Sequence, residues 1–68
     1  MEKIKIKEDF IKLDSLLKYA DIAVTGGHAK ILIQNGEVLV NGEVCTQRGK
    51  KIKKGDIVKT DEKEIIVE

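Results

Sequence analysis

The stretch Thr25-Gly26-Gly27-His28-Ala29-Lys30-Ile31-Leu32-Ile33-Gln34-Asn35-Gly36 carries both ends of a helix and its buried stripe. Ala29, Leu32 and Ile33 follow i, i+3, i+4, the spacing that gathers side chains on one helical face. Thr25 suits the N-cap, where a hydroxyl accepts from a first-turn amide, and Gly36 suits the left-handed residue just past a helix end. Directly beyond, Val38-Leu39-Val40 and Val44-Cys45-Thr46 flank Asn41-Gly42-Glu43. Asn-Gly tolerates positive φ at both turn positions, so this reads as a β-hairpin.

Working backwards, Leu13, Leu16, Leu17 and Ala20 mark a first amphipathic helix, with Asp14 in the first turn where a carboxylate favours the helix dipole. Lys3-Ile4-Lys5-Ile6-Lys7 alternates with period two, a half-buried edge strand whose lysines are solvated. Working forwards, Lys53-Lys54-Gly55-Asp56 is turn chemistry, and Ile57-Val58 and Ile65-Ile66-Val67 form a last strand pair. The chain has no proline and no repeat. The expected fold is α+β: one domain over residues 1–68, with two short helices packed on one side of a small antiparallel sheet.

Sixty-eight residues leave no room for a catalytic scaffold plus a second module, and such a chain buries only about 60% of its unfolded surface. A deep substrate cavity is not expected; a binding surface is. One cysteine permits no internal disulfide, so a reducing, cytoplasmic setting fits. No apolar run approaches the roughly 20 residues of a membrane span, and Met1 to Phe10 lacks a signal-peptide core. The net charge of +1 hides an asymmetry, because Thr25 to Lys54 holds six basic residues against Glu37 and Glu43, whereas the segment after Lys54 is acidic. One face for an anionic partner is the expectation.

Four blocks, Lys12-Leu13-Asp14-Ser15-Leu16-Leu17, Thr25-Gly26-Gly27-His28-Ala29-Lys30, Asn35-Gly36-Glu37-Val38-Leu39-Val40-Asn41-Gly42 and Lys54-Gly55-Asp56-Ile57-Val58, stand in one order and spacing. Together they resemble the RNA-binding domain named after ribosomal small-subunit protein four, over residues 12 to 58. Where that family commonly has Ser-Arg, this chain has Thr25-Gly26, so the helix-start arginine is absent. The Thr-Gly-Gly-x-Ala-Lys form resembles its small stand-alone bacterial subgroup, the YaaA or YbcJ type. The resemblance implies an L-shaped helix pair plus hairpin (the alpha-L motif) that binds structured ribosomal or transfer RNA, in ribosome assembly or translation.

The site chemistry follows from residue type. Gly26 and Gly27 at a helix start leave backbone amides uncovered at the positive end of the dipole, a seat for phosphate. The same glycines equally fit close helix packing or an abrupt entry turn; the resemblance favours RNA. Thr25 caps the helix, His28 follows the pair, and Lys30 and Gln34 lie one turn apart on one face. A lone histidine is no metal site, and no metal or cofactor is expected. Lys12 matches the family's basic position and ranks ahead of Lys18. Arg48, Lys50, Lys51, Lys53 and Lys54 place five cations in seven positions. With Ile52 as anchor, Lys51 and Lys53 share one strand face while Lys50 falls with Ile52. Arg48 ranks first because a guanidinium grips phosphate bidentately and stacks on unpaired bases. Only Phe10 and Tyr19 are aromatic, so there is no stacking platform; Phe10 reads as core, and Tyr19 as packed with its hydroxyl in water.

Catalysis finds no support, since Ser15, Thr25 and Cys45 have a single histidine to share and no carboxylate pair is placed for acid–base work. A monomer that binds RNA, in contact with a ribosomal subunit and not with membrane, is the expectation. The runner-up is a sulphur-carrier or ubiquitin-like protein, disfavoured because the chain ends Ile65-Ile66-Val67-Glu68 without the Gly-Gly such carriers use. A third reading is a protein-interaction module whose basic loop meets an acidic partner.

Overall fold

A computed structural model describes residues 1–68, in the order β1 (Glu2–Ile4), β2 (Phe10–Lys12), α1 (Leu13–Tyr19), α2 (Gly26–Gln34), β3 (Leu39–Val40), β4 (Glu43–Val44), β5 (Lys51–Lys53), β6 (Ile57–Lys59) and β7 (Glu64–Val67). A five-stranded sheet runs β1-β7-β6-β3-β4, and β2 and β5 form a separate two-stranded ribbon.

The α+β class with two helices holds, and the sheet is mixed: β1 is an edge strand, as the alternation indicates, but it joins β7 in parallel. Its ladder continues through Glu68 N to Ile4 O at 2.8 Å and Ile6 N to Glu68 O at 2.9 Å. Register aligns Val40 with Val58, Val58 with Ile65, and Ile4 with Val67, so these five side chains share one face of the sheet. All five are buried with Leu13, Leu16, Leu17, Ala20, Ala29 and Ile33 from the helical segments. Every buried residue is apolar, and no buried side-chain polar atom lacks a partner.

Each helix stops for a local reason. After α1, Asp21 takes φ 61°, Ile22 N donates to Leu17 O, and the Lys63 ammonium donates to Ala20 O at 2.6 Å. After α2, Gly36 takes φ 76° and Glu37 N donates to Leu32 O, the hydrogen-bond pattern of a glycine-terminated helix. Asn41 at φ 51° and Gly42 at φ 87° make the two-residue turn between β3 and β4. No helix is long and apolar enough to cross a membrane.

The ribbon departs from the sequence reading. The sequence reading places Phe10 in the core and assigns no strand to residues 10–12. Instead they pair with β5, Phe10 opposite Lys53, Ile11 opposite Ile52 and Lys12 opposite Lys51. Directly paired residues point to the same side. Ile52, fully buried, takes Ile11 inward, which forces Phe10 outward to 37% exposure. Tyr19 is likewise 67% exposed rather than packed.

Candidate nucleic-acid interface

The loop before β5 is fastened to the start of α1. Leu13 N donates to Lys50 O at 2.8 Å and Asp14 N to Arg48 O at 3.1 Å, so carbonyls of the basic loop satisfy amides that the helix leaves open. The loop is closed by Lys50 N to Gln47 O at 3.1 Å. Asp14 completes the attachment: Oδ1 accepts from Ser15 N at 2.8 Å, and Oδ2 accepts from Arg48 Nε at 3.1 Å. A half-exposed ion pair of this kind contributes only about 0–1 kcal/mol to folding. Its larger effect is on direction, because engaging Nε leaves both Nη nitrogens without a partner in the chain.

Those nitrogens lie beside α2. Arg48 Nη2 is 3.9 Å from the position a Cβ on Gly26 would occupy. Thr25 is extended (φ −133°, ψ 168°), and its Oγ1 accepts from His28 N at 3.0 Å, the expected N-cap. The amides of Gly26 and Gly27 have no acceptor in the chain, and the first turn of α2 has no acidic side chain to offset the dipole. Neither glycine has positive φ, and a Cβ at Gly27 would meet only Thr25 Oγ1 at 3.8 Å. Neither close packing nor an abrupt turn therefore requires glycine at 26 or 27. What the pair supplies is open backbone beside a guanidinium.

The ribbon adds a basic wall. Phe10, Lys12, Lys51 and Lys53 stand on its outer face, with Lys51 Nζ 4.9 Å from the Phe10 ring centroid. Phe10, which sequence reasoning assigned to the core, thus stands on the outer face of the ribbon. Lys50, expected to fall with Ile52, instead precedes the strand, is exposed, and joins Lys51 and Lys53 along a groove of about 590 Å³ that also takes in Thr46, Gln47 and Asp56. Lys30 and Gln34 are exposed one and two turns beyond Gly26 on the same flank of α2.

His28 is the exception. It lies two residues from Lys30, which is about 200° around the helix, and it lines a separate small cavity with Leu32, Glu37, Asp61 and Glu62. Its Nδ1 accepts from Val24 N at 3.2 Å, so it serves as part of the helix cap and faces acidic neighbours. The structure brings Arg48 against Asp14 and beside Gly26, pairs Lys12 with Lys51 across the ribbon, and lines one groove with Lys50, Lys51 and Lys53. Thr25, Lys30 and Gln34 are exposed at the start and along the length of α2, and His28 lines a separate cavity. No cluster of three or more His, Cys, Asp or Glu side chains suited to a metal is formed.

A second cross-link fixes the far edge. Asn41 Nδ2 donates to Asp56 Oδ1 at 3.1 Å, Asn41 Oδ1 accepts from Ile57 N at 2.9 Å, and Asp56 Oδ2 accepts from Lys53 N at 2.8 Å. The Lys53 amide is the chief cause that holds the Asp56 carboxyl below its ordinary 3.8; partial burial opposes it, and the Asn41 amide and the charges of Lys50 and Lys53 reinforce it.

Residues 4–68 match the model of the S4 domain. The chain belongs to the S4 domain family. This S4 domain is 41% identical over 58 residues to a Bacillus subtilis (strain 168) protein described as a probable ribosome maturation protein, RlbA; the match spans 85% of this chain and 82% of that protein. The solution structure of YbcJ from E. coli, described as revealing an alpha-L motif involved in RNA binding, superimposes with a TM-score of 0.74 at 32% identity, over 98% of this chain and 86% of YbcJ. Two of the blocks that carry the family likeness are physical partners in this S4 domain, Asn41 of the third meeting Asp56 of the fourth, while Asp14 of the first meets Arg48 in the basic loop between the third and fourth.

Proposed function

We propose that this chain binds folded RNA, ribosomal RNA first, through phosphate and shape contacts, and that it acts in ribosome maturation. The observation that carries the reading is the Arg48 guanidinium, held by Asp14 at 3.1 Å, beside the unpaired amides of Gly26 and Gly27. Guanidinium and helix-start amides both donate to phosphate oxygens, and together they take one group from two sides. Lys12, Lys51 and Lys53 on the ribbon, Lys50 in the groove, and Lys30 with Gln34 along α2 extend the contact to neighbouring phosphates. Thr25 acts by setting the helix start.

The S4 domain membership, YbcJ with its RNA-binding motif and the ribosome-maturation description of RlbA support this reading. It includes a monomer working on a ribosomal subunit or its precursor in the cytoplasm, with binding rather than turnover as its activity. Scattered cations with few exposed aromatics suit shape recognition over linear sequence readout. The test is titration of bacterial ribosomal RNA with the wild-type chain and an Arg48→Ala/Lys51→Ala variant. Weakened binding by a folded variant supports the reading; equal affinity contradicts it.

A further inference from the structure

We propose that the groove between the amino-terminal segment and α1 is a second RNA subsite, in which Tyr19 stacks on an unpaired base while Lys5 and Lys7 hold its phosphates. This rests on the RNA-binding reading above and adds a surface remote from Arg48. Tyr19 and Asp14 are five residues apart on α1, about 140° around the helix, so Tyr19 leaves the flank opposite the Asp14–Arg48 pair.

Three observations converge on this groove. Tyr19 is 67% exposed, although Ile6 and Ile11 beside it offer partly buried apolar surface on which a ring could lie. A groove of about 340 Å³ is lined by Lys5, Ile6, Lys7, Glu8, Ile11 and Tyr19, within the roughly 300–1,000 Å³ of small-ligand clefts. Lys5 and Lys7 enter no ion pair in the chain, and Glu8 is the one opposing charge at the groove. Partly buried Ile6 and Ile11, an exposed aromatic ring and two ammonium groups outside any ion pair match the base and phosphate of one unpaired nucleotide.

The subsite is separate from the Arg48 loop: Ile11 lines this groove, whereas its neighbours Phe10 and Lys12 stand on the opposite, outer face of the ribbon.

Tyr19 is the one tyrosine of the chain, so 3-fluorotyrosine labelling gives a single ¹⁹F resonance. Titration with single-stranded oligoadenylate should shift that resonance saturably. Tyr19→Phe should keep the affinity for oligoadenylate and for ribosomal RNA, while Tyr19→Ala and Lys5→Gln/Lys7→Gln should weaken oligoadenylate binding about tenfold. Ribosomal RNA binding with a silent ¹⁹F resonance under oligoadenylate, or with Tyr19→Ala binding oligoadenylate like wild type, overturns the subsite and leaves the RNA reading standing. Failure of the wild-type chain to bind ribosomal RNA overturns that reading, and the subsite with it.

Discussion

Asp14 and Arg48, thirty-four residues apart, hold each other twice: the Arg48 Nε donates to Asp14 Oδ2 at 3.1 Å, and the Asp14 amide donates to the Arg48 carbonyl at 3.1 Å. The backbone contact fixes the loop and the side-chain contact aims the guanidinium. Asp14 is therefore a positioning residue, and its removal has a telling sign. Deleting a carboxylate near a polyanion ought to strengthen binding by charge alone, whereas freeing Arg48 weakens it. Asp14→Ala is expected to bind ribosomal RNA several-fold less tightly while losing about 1 kcal/mol of stability. Tighter binding by this variant would show that Asp14 only repels.

At the start of α2, stability and binding should part company. Gly27→Glu places a carboxylate in a first turn that has none, which favours the helix by about 0.3–1 kcal/mol through the dipole. The same charge occupies the side from which phosphate approaches. Thermal unfolding should therefore show an unchanged or raised midpoint and RNA titration a loss of about tenfold or more, since a like charge opposes the anion where the amides attract it. A variant that binds normally would place the phosphate elsewhere.

Asp56 gives a pH dependence with a defined direction. Its folded carboxyl titrates below the ordinary 3.8, so its contribution is fully present above that value and is lost as pH falls through the folded one. Denaturant midpoints taken from about pH 6 down to pH 2 should fall on the acid side. In Asp56→Asn that part of the fall should vanish, with lower stability at neutral pH because the bond from Lys53 N loses its charged acceptor. An acid limb identical in both chains would remove Asp56 from the explanation.

Ile52 anchors the basic wall from beneath. It is fully buried, directly between Lys51 and Lys53. Ile52→Ala should cost about 2–5 kcal/mol and Ile52→Val about 0.5–1.5 kcal/mol in denaturant unfolding. Because the ribbon register sets which lysines face outward, Ile52→Ala should also weaken RNA binding where it remains folded, while Ile52→Val should not.

Legibility in the sequence followed the range of the interaction. Both ends of α2 were readable because Thr25 and Gly36 act on amides and carbonyls within a few residues. The hairpin was readable because Asn41-Gly42 sets its own dihedrals. The facing of Lys51 and Lys53 followed from strand parity once Ile52 was placed inside. Long-range partners left no local trace: Asp14 looked like a dipole residue until Arg48 was found against it, and Asn41 and Asp56 each looked like turn chemistry alone. β2 is three residues long, too short for its alternation to register, so Phe10 was placed in the core. The parallel pairing of β1 depends on where the last strand returns. The displacement of His28 was within reach of the sequence, because helical spacing already separates it from Lys30.

The most direct test is the salt dependence of ribosomal RNA binding by the wild-type chain and Arg48→Ala. Each neutralised phosphate contributes about 0.7 to 0.9 to the slope of log affinity against log salt. Wild type should show a slope of several such units, and Arg48→Ala a slope reduced by about one of them, in a chain that stays folded with at most the roughly 0–1 kcal/mol loss of the Asp14 pair. A wild-type affinity indifferent to salt, or an Arg48→Ala slope equal to wild type, would contradict phosphate recognition at the start of α2.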